Sequence, residues 1–296
     1  MPALRKRYPD YFARVDRSGK LFVHSEQPVS EADESLLSTI DRFGFEWTQY
    51  ADYNAENFDR FLQPINLLLS SGMLALDAGC GAGRHAVSLA ERGIEVIGVD
   101  ISWAVDAAHA RASGRPMLHI VQADLYQLPF QASLFDLAYS LGVLHHLPEP
   151  SSGVQSLASR IKPGGIFLAW VYMRTPRKML LEPVRRVVRR FSSNAIDRLS
   201  WVLAVLEWGA VIGPYRILSQ HTKESRSVVP KRIREYARLG FHVSRVDWYD
   251  RLAAPISFPM TRPQAQALLS HPNLYDRQVN PIDDSWWECR ARVRQV

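Results

Sequence analysis

The stretch LALDAGCGAGRHAVSLA, Leu74 to Ala90, constrains this chain more than any other. A short apolar run ends in Asp77, glycines follow at Gly79, Gly81 and Gly83, and Ala86, Leu89 and Ala90 then fall at helical spacing. The pattern predicts a buried strand, a sharp turn, and a helix from His85 to Arg92 with Gly93 as its stop. Glycines at such a turn let the backbone take unusual torsions and lie close to a ligand. A phosphate-binding P-loop is ruled out, because Arg84-His85 stand where that motif needs lysine and a hydroxyl residue. A dinucleotide fingerprint is disfavoured, because Arg84 occupies its third glycine position and would crowd helix against strand. An acid at the strand end repels a pyrophosphate and welcomes a cation such as an α-ammonium. The turn therefore suits an amino-acid-bearing nucleotide.

The next two strands extend the pattern. Ile94 to Asp100 is a β-branched run that ends in an acid, one β-α-β spacing after Asp77. A carboxylate there can accept from both hydroxyls of a ribose. The run MLHIVQAD ends in Asp124, followed by Leu125, and an acid at that place can accept from an adenine amino group. Any one of these aspartates could be a helix cap. Their recurrence at three successive strand ends, beside a glycine turn, points to one ligand.

The segments LDAGCGAGRHAVSLAERGIEVIGVDIS, QADLYQLPF, FDLAYSLGVLHHLPEP and IKPGGIFLAWVY resemble the motif series of class I S-adenosylmethionine-dependent methyltransferases, and within them the small-molecule and quinone-type branch. The resemblance is strong from Leu74 to Tyr172 and weak elsewhere. It implies S-adenosyl-L-methionine as cofactor. The methionine moiety would lie on Asp77, Gly79, Gly81 and Gly83, the ribose on Asp100, and the adenine against Ile101, Asp124 and Leu125. Ser140, near the end of the fourth strand, completes the implied set.

The expected fold is α/β: a doubly wound, Rossmann-like, mostly parallel seven-stranded sheet with a terminal antiparallel hairpin, plus a helical cap. LYDRQVNPI and WWECRARVRQ predict that hairpin, with Asp283, Asp284 and Ser285 as its turn. Four regions are expected: an aromatic-rich extension over 1–69, the cofactor-binding core over 70–172, a helical insertion over 173–239, and the C-terminal part of the sheet over 240–296. In the extension, YPDYFARVDRSGKLF is faintly similar to the end of a zinc-ribbon domain that precedes some relatives, but its cysteines are absent. In the insertion, Leu180, Val184, Val187 and Phe191 predict an apolar inner seam, with Arg185, Arg186, Arg189 and Arg190 on the outer side. The apolar run from Leu199 to Ile212 is too short to span a bilayer, which takes about 20 residues.

The formal net charge is +6, and most of the excess lies in that insertion. Such a balance favours acidic partners, and peripheral membrane contact through the basic helix 177–191 is one expectation. The two cysteines fit neither a disulfide framework nor a zinc site, so no metal and a reducing cytoplasm are expected.

The chemistry is expected just beyond the fourth strand, where GVLHHLPEP places His145 and His146. Histidine titrates in the range that suits a base for an acceptor that must lose a proton. Tyr50, Tyr53, Trp248 and Tyr249 are candidate aromatic walls of a pocket for a small, apolar or aromatic acceptor methylated at O, N or C. Nucleic acid is not the expected partner: an RNA methyltransferase is the alternative enzyme, but SLGVLHHL stands where an Asn/Asp-Pro-Pro-aromatic base-flipping motif would be. A non-catalytic module that only binds the cofactor is the remaining reading.

Overall fold

The computed structural model describes residues 34–50, 62–176, 181–188, 190–221, 229–254, 256–282 and 284–294. Strands β1 (Leu74–Ala78), β2 (Glu95–Asp100), β3 (Leu118–Gln122), β4 (Phe135–Leu141), β5 (Ile161–Tyr172), β6 (Leu274–Ile282) and β7 (Trp286–Val293) form one sheet. The order is β3-β2-β1-β4-β5-β7-β6. β1 to β5 pair in parallel, and β7 runs antiparallel between β5 and β6. Helix α1 (Glu34–Gln49) precedes the sheet, and α2 (Arg84–Ala90), α3 (Val105–Ala112) and α4 (Pro150–Arg160) join its parallel strands.

The strands are apolar because both faces of the sheet are covered. Every residue of β1 is buried. Leu74, Leu76 and Ala78 pack on one face with Val99, Phe135 and Phe167, while Ala75 packs on the other with Val96, Leu137 and Leu168. The strand order reverses between β1 and β4. In doubly wound sheets such a switch point opens a crevice beyond the carboxyl ends of the strands, and the glycine turn stands there.

The insertion comprises α5 (Glu182–Val188), α6 (Ser193–Glu207), a π-helical turn (Trp208–Ile212), α7 (Gly213–His221), α8 (Lys231–Leu239) and α9 (Phe241–Ala253). Helix α10 (Arg262–Leu268) then leads into β6. Residues 180–255 form a compact unit of their own, and the sheet lies in the other unit, which resumes at Ile256. The insertion thus ends later than the expected position 239. The reason is α9, which is tied to α6 by Arg245 on both oxygens of Asp197, at 2.6 and 2.8 Å. Trp248 Nε1 and Ser244 Oγ of α9 also donate to Glu207, at 2.8 and 3.0 Å.

The seam expected in α5 is reversed. Val184, Val187 and Phe191 are exposed, whereas Arg185 and Val188 are buried. The Arg185 guanidinium donates to the Ala254 carbonyl at 3.1 Å, which fixes this register in a helix of only seven residues. Leu180 and Arg189 lie outside the described residues.

Candidate active site

The glycine turn leaves β1 with Gly79, Gly81 and Gly83 all at positive φ, 83°, 51° and 76°. The N–H groups of Gly79 and Cys80 both donate to the Val99 carbonyl, at 2.7 and 2.9 Å, so the turn is pinned to the end of β2. Close packing reinforces the torsions. A Cβ on Gly79 would lie 2.3 Å from Val143 Cγ2, and one on Gly81 would lie 3.0 Å from the Trp47 ring. Trp47, on α1, is also capped by the Arg84 guanidinium, 4.4 Å from its ring centroid. Helix α1 thus lies across the turn.

The predicted acids meet at this sheet edge. Asp77 is 2% exposed, and its Oδ2 is buried without a hydrogen-bond partner among the described residues. Asp100 accepts at Oδ2 from the Gly81 N–H (2.9 Å) and at Oδ1 from the N–H and hydroxyl of Ser102 (2.9 and 2.7 Å). It therefore shapes the turn and keeps acceptor capacity on Oδ2. Asp124 caps a short 3-10 turn, its Oδ1 accepting from the Tyr126 N–H at 2.9 Å, and Leu125 beside it is buried. The Ile101 carbonyl accepts from the Gln122 amide at 3.1 Å. Ser140 is fully buried and donates to the Ala78 carbonyl at 2.9 Å, so its hydroxyl already serves the β1–β4 seam.

His145 and His146 lie on a 3-10 turn just after β4 and are both buried. His146 Nδ1 is 2.6 Å from the Ile256 carbonyl oxygen. A carbonyl can only accept, so Nδ1 carries the proton, and in the neutral ring the lone pair is left on Nε2. The His145 ring lies against Tyr172, with centroids 4.1 Å apart, and Tyr172 lies against Trp286 at 4.5 Å. Phe43 of α1 meets His146 at 4.8 Å. Sequence reasoning missed Phe43, Tyr172 and Trp286. The pair Tyr172 and Trp286 carried a usable signal, since the last residue of β5 must face the first of an antiparallel β7, and they are in register.

The expected aromatic walls divide. Tyr50 is buried at the end of α1, and Tyr53 lies outside the described residues. Trp248 and Tyr249 sit on α9 within the insertion, where Tyr249 is fully buried and Trp248 is bonded to Glu207.

A methyltransferase-domain family model matches residues 76–169. The ubiquinone biosynthesis O-methyltransferase of Leptothrix cholodnii is 32% identical over 171 residues, which cover 52% of this chain and 69% of that protein. The chain belongs to the class I S-adenosylmethionine-dependent methyltransferases. The fold is shared with the 1,6-didemethyltoxoflavin N1-methyltransferase of Burkholderia thailandensis, solved with S-adenosylhomocysteine (TM-score 0.53, 14% identity, 92% of this chain and 94% of that one). It is shared as well with the methyltransferase solved in complex with the Trm112 activator of Haloferax volcanii (TM-score 0.53, 14% identity, 87% and 97%).

The methyltransferase's own residues fit its cofactor. The buried Asp77 oxygen without a hydrogen-bond partner among the described residues would suit an ammonium, and Asp100 keeps acceptor capacity that would suit a ribose hydroxyl. Burial raises the Asp77 carboxyl from 3.8 to about 7, with Asp100 adding to the rise and the Tyr139 hydroxyl and Arg84 opposing it. The sign has two consequences. The unfolded carboxyl ionises near 4 and the folded one near 7, so folding stability falls as pH rises between those values. Asp77→Asn is therefore expected to raise the Tm of the ligand-free enzyme at pH 8, read by calorimetric or fluorescence melting. Conversely, an ammonium needs the ionised acid. Cofactor affinity should fall roughly tenfold for each pH unit below 7, and isothermal titration in two buffers of different ionisation enthalpy should show proton release on binding.

Proposed function

We propose that this enzyme methylates a hydroxyl on a small planar ring, held against the rings of Phe43, Tyr172 and Trp286. The observation that carries the reading is the state of His146. Its Nδ1 proton is committed to the Ile256 carbonyl, which leaves Nε2 as the basic nitrogen inside an aromatic cluster. When bound, the cofactor supplies a methyl carbon already activated on a positively charged sulfur. The protein then has to orient the acceptor, keep water out and remove one proton.

A phenolic hydroxyl is the acceptor class for which a positioned base is most useful, because its oxygen becomes a strong nucleophile only as the proton leaves. His146 Nε2 takes that proton in this reading. His145, fully buried, packs behind this cluster between His146 and Tyr172, with ring centroids 4.1 Å from each and ring planes tilted by 47° and 48°. The name of the Leptothrix cholodnii relative, an O-methyltransferase of ubiquinone biosynthesis, agrees in chemistry with a ring hydroxyl.

The test is a panel of ring and open-chain hydroxyl compounds assayed for turnover. Phenolic and catecholic compounds are expected to be methylated and aliphatic alcohols ignored. Tyr172→Ala removes one aromatic partner and is expected to raise KM for the ring acceptor by about two- to tenfold, given roughly 0.5–1.5 kcal/mol per aromatic pair beyond area burial, with cofactor affinity unchanged. Equal turnover of aliphatic alcohols, or an unchanged KM in that variant, would remove the aromatic cluster from the acceptor site.

A further inference from the structure

The inserted unit is inside out along one helix. α6, the π-helical turn and α7 run without a break from Ser193 to His221. The turn widens where Pro214 has no N–H to give to the carbonyl four residues earlier, and Gly213 instead donates to Trp208. The two acids of α6 point inward: Asp197 to Arg245, and Glu207 to Arg232, Ser244 and Trp248. Ile196, Ser200 and Ala204 are buried on that same side.

The outer side carries Trp201, Val202, Val205, Leu206, Ile217 and Leu218, each between 39% and 63% exposed. At 1.5 Å per residue the stripe from Trp201 to Leu218 is about 26 Å long. Contiguous exposed apolar surface on this scale marks a docking face.

Charge decides what docks. Residues 180–255 hold fourteen lysines and arginines against seven acids, a net +7, while the rest of the chain is at −1. Arg186, Arg190, Arg198, Arg216, Arg234 and Arg238 are exposed, whereas Asp197, Glu207, Glu235, Asp247 and Asp250 are all at least half-buried. A second copy of the unit would bring +7 against +7. No helix among the described residues is long and apolar enough to cross a membrane.

We infer that the outer face of α6 and α7 docks on an anionic lipid surface. The apolar stripe enters the headgroup boundary and the arginines meet lipid phosphates, the division of labour of an interfacial helix. This places the contact on a different helix from the basic segment 177–191 that the sequence suggested.

Co-sedimentation of the full chain with vesicles tests it. Wild type should partition onto phosphatidylcholine vesicles containing phosphatidylglycerol, less so as salt rises, and only weakly onto phosphatidylcholine alone. Leu206→Glu with Ile217→Glu should lower partitioning about tenfold or more, and Arg198→Glu with Arg216→Glu should weaken binding to the anionic vesicles selectively. All four positions are exposed, and unchanged helical circular dichroism and melting of both variants will show that the inserted unit is intact. The inference falls if wild type stays in the supernatant with anionic vesicles, or if both variants bind like wild type. It falls equally if sedimentation velocity shows a wild-type dimer that Leu206→Glu dissociates, or if the face binds an RNA oligonucleotide and not vesicles.

Discussion

His146→Ala is expected to lower kcat by about 10²–10⁴-fold, with cofactor affinity essentially unchanged. The size follows from losing the only group in this account that accepts the acceptor's proton. His145→Ala should behave differently. It removes a buried ring that supports Tyr172, not the ring polarised by a carbonyl, so its main effect should be on KM. The comparison separates the two neighbours on physical grounds: His146 Nδ1 is held at 2.6 Å by the Ile256 carbonyl, and His145 is packed between two rings. His146→Gln offers a further check, since a glutamine can keep the bond to Ile256 but cannot take a proton. It should be as inactive as the alanine variant if His146 is a base, and partly active if it only supports packing.

The second large effect is expected at the glycine turn. Gly79→Ala would force a side chain onto a residue at φ 83° and drive its Cβ to 2.3 Å from Val143 Cγ2. Left-handed strain alone costs roughly 1–3 kcal/mol for a residue with a side chain, and the overlap adds to it. Either the turn or Val143 moves, and both shift the backbone proposed to hold the cofactor. Cofactor affinity should drop by about 10²-fold or more, on the rule that 1.4 kcal/mol is tenfold. Gly114→Ala is the control. Gly114 has φ 75°, but nothing lies within 4 Å of an added Cβ. It should show the strain as a lower Tm and leave cofactor binding alone.

The sheet and the glycine turn with its neighbouring acids were legible because their signals are local. Apolar runs ending in acids marked β1, β2 and β3, and the two terminal runs predict a hairpin that the structure forms over Leu274–Ile282 and Trp286–Val293. The insertion was legible as helical but not in orientation. Reading an apolar seam as an inner face assumes that a helix hides its apolar side. In α5, Arg185 is buried by its bond to a carbonyl, and Val184 and Val187 turn outward. The same assumption hid the outward stripe of α6. Helix α9 was assigned to the sheet region because its partners, Asp197 and Glu207, lie more than thirty residues earlier, and no local pattern announces an ion pair at that range. The bond that distinguishes His146 from His145 comes from a backbone carbonyl 110 positions away, and a carbonyl has no signature in sequence.

The most direct test of the account follows the methyl group itself. Purified enzyme would be given S-adenosylmethionine labelled in the methyl carbon, together with an extract of its host cells separated into small-molecule, protein and RNA fractions. The account predicts label in the small-molecule fraction, on a ring oxygen, with transfer lost in His146→Ala and cofactor binding retained. Label entering RNA or protein, or small-molecule methylation that survives in His146→Ala, would contradict it.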